Sequence, residues 1–385
     1  MRKLNNIART GAQIENEAAV AKSYDRVLYA AVTRGMESKI PFSSINPEEQ
    51  ELGTPLDATQ ETISIGWVGD IVPVNSPTPA TSTTEQSNKY FTNFIPLFSS
   101  LDIMSGNLEG VLTDSDTYQS KCAKMKTDCF AIKGSSNFAQ TLAASGFDVL
   151  NIANNHALDF GSSGLTDTQI NLNNAGLKHT GAKGNIAYVK TEKGTVAFVG
   201  FAQNYQLNSL TDKNQIRTMI AKAREQADIV IATIHAGAEG SSSLFVPEGS
   251  EIYLGENRGN TKDLAHTMID AGADMVLGSG PHVLRGIEIY NQKIIAYSLG
   301  NFLSVNKLST NNFLALSGIL IANIDSNKNI KSVKIIPVRI SSTDGIPRFD
   351  ESGASILLIN HLSKENFGGN GIQLDENGIY KTAVN

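Results

Sequence analysis

Residues 149–161 have the sequence VLNIANNHALDFG, in which an apolar run ends among three asparagines, a histidine and an aspartate. Asparagine and histidine are poor strand formers and uncommon core residues. The apolar run predicts a buried strand, and the lone pairs of the polar cluster at its end need donors, water or a metal ion as partners. We therefore expect this strand to stop at a metal ion or at an anion bound to one.

The sequence around this stretch predicts a layered fold that contains both helices and strands. In the first part of the chain, short apolar strands alternate with segments of helical pattern near residues 137–144, 166–175, 214–226 and 261–272. Four apolar strands between residues 285 and 340 then follow one another without long helices. Alternation followed by strand succession predicts a mixed-sheet α/β or α+β fold, with no internal repeat of fixed period.

Polar side chains recur at the ends of five predicted strands. In open α/β sheets, ligands bind outside the carboxyl ends of the strands, where loops bring distant residues together. Each residue alone has a common structural explanation, such as a cap or a hydrogen-bonded core histidine. Together they suit a divalent cation, and a set of oxygen and imidazole ligands favours zinc, manganese or iron over calcium. The five strand ends are Asp70, Asn107–Glu109, Asn154–His156, His235–Glu239 and Gly280–His282.

The composition is that of an ordinary globular protein. The chain has 385 residues, of which 41% are hydrophobic and 18% charged, with a net charge of −6 and a pI near 5.6. An acidic balance argues against a main function in binding nucleic acid or an anionic membrane surface. No run approaches the apolar length of a membrane span, so we expect no transmembrane segment.

Three parts of the chain differ in sequence pattern. We expect an N-terminal helix and arm over 1–61, with an amphipathic helix over 14–32, and a main domain over 62–340. We expect 341–385 to be a C-terminal extension that packs on the main domain, and its glycine-rich stretch 365–378 to be an exposed loop.

The two cysteines, Cys122 and Cys129, lie in a polar stretch with six residues between them. This spacing favours a disulfide, with two unrelated thiols as the alternative and a zinc site disfavoured for lack of a second ligand pair. A disulfide implies an oxidising compartment. The N-terminus shows no apolar region of a secretory signal, so the chain is either intracellular or begins after a removed leader.

Five blocks of this sequence, in order, resemble those of a known bacterial family. They are WVGDIV (67–72), GNLEG (106–110), NIANNHALDFGSSGLTDT (151–168), IHAGAEG (234–240) and GPHVLRGIEIYNQKIIAYSLGNF (280–302). They resemble the CapA family of poly-gamma-glutamate capsule synthesis proteins, whose domain is similar to calcineurin-like metallophosphoesterases. The resemblance covers roughly residues 63–338 and implies a four-layer α/β/β/α sandwich with mixed sheets.

The resemblance also implies the residues that hold a divalent metal. Asp70 takes the place of the first metal-binding aspartate and Glu109 that of the bridging carboxylate. The implied metal ligands are Asp70, Glu109, Asn155, His235 and His282. A two-metal site of this kind generates hydroxide and clamps the oxygens of an in-line displacement.

The expected catalytic residues are His156 and Asp70, since the resemblance implies that His156 stabilises the transition state or protonates the leaving oxygen. We expect Glu239, Arg285 and Asn301 to contact substrate. For each of them a structural role is the alternative: a surface acid, an ion pair and a turn support, respectively.

The sequence departs from the phosphoesterase pattern at two positions. Asp70 is followed by Ile71 and Val72, without the histidine expected two residues after the aspartate, and Gly280 stands where many relatives have a second imidazole. One metal, a weakly loaded site or no metal would each fit these departures.

The resemblance implies a function in making or anchoring a poly-gamma-glutamate-type capsule or another envelope polymer, outside the cytoplasm. The implied partners are an anionic polymer or its precursor and capsule synthase subunits. As an enzyme, the protein would hydrolyse a phosphoester or an amide of the polymer by a metal-dependent reaction. The alternative is a non-catalytic subunit that binds the polymer or a synthase partner.

Overall fold

The computed structural model describes residues 62–74, 89–124, 129–305 and 308–381. The predicted N-terminal helix and arm lie outside these residues. The boundaries expected at residues 61 and 340 stay predictions. None of the helices in the described part of the chain has the length and apolar character that a membrane span requires.

The described residues form six α-helices, nineteen strands and four short 3-10 helices. The α-helices are α1 (Ile95–Phe98), α2 (Phe138–Ala144), α3 (Gly161–Asn174), α4 (Lys213–Arg224), α5 (Thr261–Asp270) and α6 (Ala354–Phe367). The strands are β1 (Thr62–Ile71), β2 (Ile103–Leu108), β3 (Val111–Leu112), β4 (Lys133–Gly134), β5 (Val149–Asn151), β6 (Lys178–Thr180), β7 (Ala187–Thr191), β8 (Gly194–Ala202), β9 (Ile229–His235), β10 (Ile252–Tyr253), β11 (Glu256–Asn257), β12 (Met275–Ser279), β13 (Ile287–Tyr290), β14 (Lys293–Ala296), β15 (Asn301–Leu303), β16 (Leu316–Asp325), β17 (Ile330–Ile340), β18 (Pro347–Phe349) and β19 (Ile379–Lys381). The 3-10 helices are Thr92–Phe94, Lys121–Lys124, Asn312–Ala315 and Gly368–Asn370.

Two large mixed sheets contain most of the strands. The first has the order β18-β17-β16-β1-β2-β5-β6, with β15 paired to β1 and β19 to β17, and the second has the order β13-β14-β12-β9-β8-β7. Strands β1, β2, β5 and β6 are parallel in the first sheet, as are β8, β9 and β12 in the second. Strands β1 and β9 are near-continuous apolar runs, and they are buried along their whole length. This pattern is usual for parallel strands that are covered on both faces.

Three apolar cores arrange these elements into four layers. Between the two sheets lie side chains such as Trp67 of β1 and Phe198 of β8. On the outer face of the first sheet, Phe138 of α2 packs among strand residues. Ile220 of α4 and Met268 of α5 cover the outer face of the second sheet. The expected α/β/β/α sandwich is therefore confirmed.

The C-terminal helix α6 packs against β13 and β17, and its Leu358 and Ile359 belong to the core between the sheets. The stretch that follows α6 was expected to be an exposed loop, and this expectation is wrong for two of its residues. Ile372 and Leu374 are buried in the same core. Their spacing, with one polar residue between, places both side chains on one side of an extended segment.

Gly69 lets β1 and the segment before β15 approach closely beside the site. The Asp70 N–H donates to the Gly300 carbonyl at 3.0 Å. A Cβ atom on Gly69 would lie 2.0 Å from the same carbonyl oxygen, a distance that no side chain can adopt. The absence of a side chain at Gly69 therefore determines where Asp70 is held.

We predict that Gly69→Ala lowers the free energy of unfolding by about 1–3 kcal/mol or more, because backbone must move to admit the methyl group. Gly318→Ala is the matched control, since Gly318 lies in a strand of the same sheet and its Cβ would lie 3.2 Å from the Ile335 side chain and 3.7 Å from the Ile336 carbonyl oxygen. The control should change stability by less than about 1 kcal/mol. Urea unfolding of both variants checks this, and equal losses would contradict the close-approach explanation.

Candidate metal centre

The carboxyl ends of the central strands of both sheets meet in one buried cluster. Asp70 lies near the end of β1, Glu109 directly follows β2, His235 ends β9 and His282 follows β12. All four side chains are buried. Asp70, Glu109 and His282 each offer a ligand atom within 4.8 Å of the others, so they form a group that can hold a metal ion.

Asp70 accepts hydrogen bonds on both carboxylate oxygens. Its Oδ1 accepts from Asn107 Nδ2 at 2.8 Å, and its Oδ2 lies 3.0 Å from His282 Nδ1 and accepts from the Gly280 N–H at 3.2 Å. Burial opposes ionisation of this group, but the hydrogen bond and charge of His282 outweigh it and lower the pKa of Asp70. Asp70 thus links the first sheet to the turn after β12.

The turn after β12 has an unusual backbone. Gly280 has a φ of 111° and His282, a residue with a side chain, has a φ of 60°. A Cβ on Gly280 would lie 3.1 Å from both His235 Nε2 and the Ala236 nitrogen. A side chain at residue 280 would therefore approach His235 closely and would have to adopt a backbone conformation that favours glycine. The left-handed conformation of His282 is a strained one for a non-glycine residue, of a kind that clusters at functional sites.

Asn151 and Asn154, from the stretch 149–161, form hydrogen bonds with residues at the end of β2. Asn107 Oδ1 accepts from Asn151 Nδ2 at 2.8 Å, and Asn154 Nδ2 donates to the Leu108 carbonyl at 2.7 Å. Asn107 Nδ2 also lies 3.3 Å from His235 Nδ1. The sequence analysis placed Asn107 at a strand end without giving it a role. Its signal was there, because it belongs to the same GNLEG block as Glu109.

Glu109 has the least compensated side chain in the cluster. It is fully buried, and neither carboxylate oxygen has a hydrogen-bond partner among the described residues. Three imidazole nitrogens surround its Oε1: Nε2 of His282 at 3.6 Å, of His235 at 3.8 Å and of His156 at 3.9 Å. Burial raises the pKa of Glu109 well above its usual value, with the nearby Asp70 and Glu239 charges adding to the effect.

Two of the three histidines near Glu109, His235 and His282, differ in charge. Burial lowers the pKa of His235 to about 3, so its imidazole is neutral near pH 7, and its Nε2 has no partner in the described structure. Burial acts against the charge of His282 too, but Glu109, Asp70 and Glu239 outweigh it and raise the pKa of His282 well above 6.5. His282 therefore carries a proton amid three carboxyl groups.

A rim of polar residues borders the cluster. Glu239 Oε1 accepts from Asn155 Nδ2 at 3.3 Å and lies 2.9 Å from Arg258 Nη1, while its Oε2 lies 3.5 Å from His282 Nε2. Burial opposes its charge, but His282 and Arg258 hold the pKa of Glu239 down at about 2. Arg258 is buried and lies in no motif of the sequence. It could not be predicted as a site residue, because only the folded chain brings it to Glu239.

His156 reaches the cluster from the opening stretch with its ring held by an aspartate. Its Nδ1 lies 2.8 Å from Asp159 Oδ2, and because a carboxylate can only accept, Nδ1 donates. Its Nε2 then faces Glu109. Asp159 is fully buried and was quoted in the sequence analysis without a role. Its signal was the three-residue spacing from His156.

Two of the expected substrate contacts have other partners. Arg285 is fully buried, donates from both terminal nitrogens to Glu251, at 2.9 and 2.6 Å, and donates from Nε to the Ser243 carbonyl at 2.7 Å. Asn301 pairs with Asp70 in the strand register and donates to the Leu314 carbonyl at 3.3 Å. The structure therefore brings Glu239 to the cluster and gives Arg285 an ion pair with Glu251. Asn301 lies beside Asp70 in the sheet, and its Oδ1 has no hydrogen-bond partner among the described residues.

The donor set fits a divalent cation. Among the expected metal ligands, four buried atoms have no hydrogen-bond partner within the described ranges: both Glu109 oxygens, Asn155 Oδ1 and His235 Nε2. Buried polar atoms are nearly always paired, and mixed oxygen and imidazole ligands suit zinc, manganese or iron.

The predicted disulfide is also confirmed. Cys122 and Cys129 are bonded, with their Cα atoms 5.5 Å apart.

Comparison with known proteins identifies several sequence relatives. The PGA biosynthesis protein CapA of Bacillus subtilis (strain 168) is 30% identical over 263 residues, which is 63% of this chain and 64% of that protein. The capsule biosynthesis protein CapA of Bacillus anthracis is 29% identical over 302 residues, which is 71% of this chain and 68% of that protein. The match thus spans less than two thirds of the Bacillus subtilis relative.

Among solved structures, the NAD nucleotidase of Haemophilus influenzae is similar with a TM-score of 0.37 and 14% identity, over 77% of this chain and 55% of that chain. The 5'-nucleotidase precursor of Thermus thermophilus has a TM-score of 0.39 and 13% identity, over 77% of this chain and 58% of that chain. Both similarities are too weak to support an inference about activity.

The sequence relatives agree with a match to a protein family. The family described as bacterial capsule synthesis protein PGA_cap matches residues 64–306, which is well over half of the chain. The family predicted from the five sequence blocks is therefore confirmed, and this protein belongs to the bacterial capsule synthesis protein PGA_cap family.

Proposed function

We propose that this protein is a metal-dependent hydrolase that acts in the synthesis or anchoring of a poly-gamma-glutamate-type capsule or another envelope polymer. The observation that carries the proposal is the unpaired, buried carboxylate of Glu109 among three imidazoles. The desolvation free energy of an ionised carboxylate in such a place is on the order of several kcal/mol, and a bound cation would offset it. The proposed substrate is a phosphoester or an amide of an anionic polymer or its precursor.

The proposed metal ligands are Asp70, Glu109, Asn155, His235 and His282, and the proposed ion is zinc, manganese or iron. When bound, such an ion lowers the pKa of water to generate a nucleophile and stabilises negative charge on the attacked group. Of these ligands, His235 offers a neutral imidazole without rearrangement, since its pKa is about 3. At His282 and Glu109 a metal ion competes with protons, because the pKa of each group is raised.

His156 is the proposed general acid. Asp159 holds Nδ1 and leaves Nε2 facing the cluster, which is the position needed for proton transfer to a leaving group. In the reaction, the oxygen of water adds to phosphorus or to the carbonyl carbon. The bond to the leaving oxygen or nitrogen breaks, and that atom takes the Nε2 proton of the doubly protonated His156 ring, which is left neutral with its proton on Nδ1. The proton lost by the water passes to solvent and restores the Nε2 proton of His156.

Glu239 is the proposed substrate contact at the rim. It is ionised at neutral pH, since His282 and Arg258 hold its pKa at about 2, and it shares an edge of the cluster with Asn155. A carboxylate in this place suits the donor groups of a substrate, such as amide N–H, and Arg258 beside it suits the anionic ones.

The printed names of the relatives support the proposed setting. Two are a PGA biosynthesis protein and a capsule biosynthesis protein. A third, from Mycobacterium tuberculosis, is a probable polyglutamine synthesis accessory protein, 31% identical over 39% of this chain. We propose capsule synthase subunits as partners and a location outside the cytoplasm in the cell envelope, where the Cys122–Cys129 disulfide would persist.

A non-catalytic, polymer-binding subunit is the second candidate. It is favoured by the two oxygens of Asp70, which are already hydrogen-bonded within the protein, and by Gly280 in place of an imidazole. The tests below separate the two candidates.

The first test is metal content, measured by elemental mass spectrometry on protein purified without chelator or His-tag. We expect near-stoichiometric zinc, manganese or iron, and its loss in Glu109→Gln, because Glu109 supplies the compensating charge. Glu288→Gln is the matched control, since Glu288 is also buried and lies 2.9 Å from a histidine, but outside the cluster. No metal in the wild type after loading with excess ions would favour the binding subunit.

The second prediction concerns protons. The pKa values of Glu109 and His282 are both raised, and a bound cation favours the deprotonated form of each group. Metal binding should therefore release protons and tighten as pH rises. Titration calorimetry in two buffers of different ionisation enthalpy at one pH counts the protons released. Heats that do not depend on the buffer would contradict the assignment of these two groups as ligands.

The third prediction concerns the leaving group. His156→Ala should lower kcat by about 10²–10⁴-fold on an alkyl phosphodiester, whose leaving oxygen needs a proton, and by much less on a p-nitrophenyl diester. His179→Ala is the control, since His179 is buried on β6 with Asn185 as its partner, away from the cluster. Equal losses on both esters would exclude His156 as the acid. Cleavage of gamma-glutamyl amides instead of esters would identify the amide as substrate.

A further inference from the structure

A segment between β3 and β4 carries the only disulfide of the chain, which has two cysteines. Cys122 and Cys129 join its two arms. Lys121 directly precedes the first cysteine, and Ile132 follows the second by three residues. The proposed metal ligands do not include any residue of this segment.

Both arms of the segment are attached to Asp159. From the first arm, the Lys121 N–H donates to the Asp159 carbonyl at 2.7 Å, and Lys121 Nζ lies 2.7 Å from Asp159 Oδ1. From the second arm, the Ile132 N–H donates to Asp159 Oδ2 at 2.6 Å. One carboxylate oxygen of Asp159 therefore forms an ion pair with the first arm, and the other accepts a hydrogen bond from the second.

Asp159 in turn is the residue that holds His156. Its Oδ2 accepts from both the Ile132 N–H and His156 Nδ1. Lys121 Nζ also lies 3.5 Å from the Asn155 carbonyl, directly before His156 in the chain. A lysine and a backbone amide thus fix the plane of the carboxylate, and the carboxylate fixes the imidazole.

We propose that Lys121 is a positioning residue for His156, and that the Cys122–Cys129 disulfide holds the two arms together on Asp159. This rests on the proposed role of His156 in hydrolysis. Asp159 is fully buried, and Lys121 Nζ is the cation that forms an ion pair with its Oδ1, at 2.7 Å. A buried carboxylate is strongly destabilised when its ion-pair partner is removed, so Lys121 holds Asp159 in place beside His156. The disulfide keeps the arms at short separation, which reduces the entropy lost when both attach.

The charge of Lys121 is what separates this role from a purely structural one. Lys121→Met keeps the apolar stem and removes the cation, while Lys121→Arg keeps a cation that can reach Asp159. Lys133→Met is a matched control at the other end of the segment. Lys133 has a similarly half-exposed side chain and pairs with Asp116, not with Asp159.

The readout is the imidazole N–H resonance of His156 in protein labelled with ¹⁵N-histidine. The chain has six histidines, and His156→Asn assigns the signal. A proton held between Nδ1 and a buried carboxylate is shifted downfield and protected from exchange with water. This measurement needs neither bound metal nor substrate.

We expect the resonance to be lost in Lys121→Met, restored in Lys121→Arg and unchanged in Lys133→Met. Cleaving the disulfide with a phosphine reductant, or replacing both cysteines by serine, should broaden it or shift it upfield. Circular dichroism on each sample separates a local change from unfolding.

An unaltered resonance in folded Lys121→Met protein would overturn the proposal, whatever the enzymatic activity. If the resonance responds as expected but no ester or amide is hydrolysed, the positioning of His156 stands and the hydrolase proposal fails. If the protein is a hydrolase, Lys121→Met should lower kcat with little change in KM, and Lys121→Arg should restore it.

Discussion

The contact between Asp70 and His282 ties the two sheets of the sandwich together at the candidate site. It joins the end of β1 in the first sheet to the turn after β12 in the second, with Oδ2 and Nδ1 3.0 Å apart. Both groups are buried, so neither can be left without the other at acceptable cost. Glu109, His235 and Glu239 are placed around this pair, and the close approach at Gly69 and the strained turn at His282 hold it in position. The cluster is thus part of the interface between sheets and not an addition at its surface.

The charges of the cluster are balanced only in part by the protein itself. Asp70 and Glu239 are stabilised as anions by His282, Asn107 and Arg258. Glu109 has no such donor among the described residues. Its two oxygens lack hydrogen-bond partners, and burial raises its pKa. Proton and cation therefore compete for one place in the site.

The sequence predicted the strand ends well because the signals there are local. An apolar run, its length and the polar residue that ends it can all be seen in adjacent residues, as in 149–161. Residues that act through distant contacts gave no such signal. Arg258 follows the hairpin of β10 and β11 and reaches Glu239, which is distant in sequence. Lys121 precedes a disulfide-bonded cysteine and reaches Asp159, which is also distant in sequence. Arg285 was expected at the substrate because it follows His282, yet Glu251, 34 positions away, takes its guanidinium. Tertiary packing determines which buried charges pair when they are distant in sequence, and a single sequence does not reveal that packing.

The span of the cluster along the chain has a consequence for how the protein is made. Asp70 and His282 are 212 positions apart, so during synthesis the first ligand leaves the ribosome long before the last. Long-range contacts of this kind form late in folding, and the cluster cannot select a cation until both sheets have closed. The cluster is therefore completed only when strands from both sheets have packed against each other, although its first residue is synthesised early.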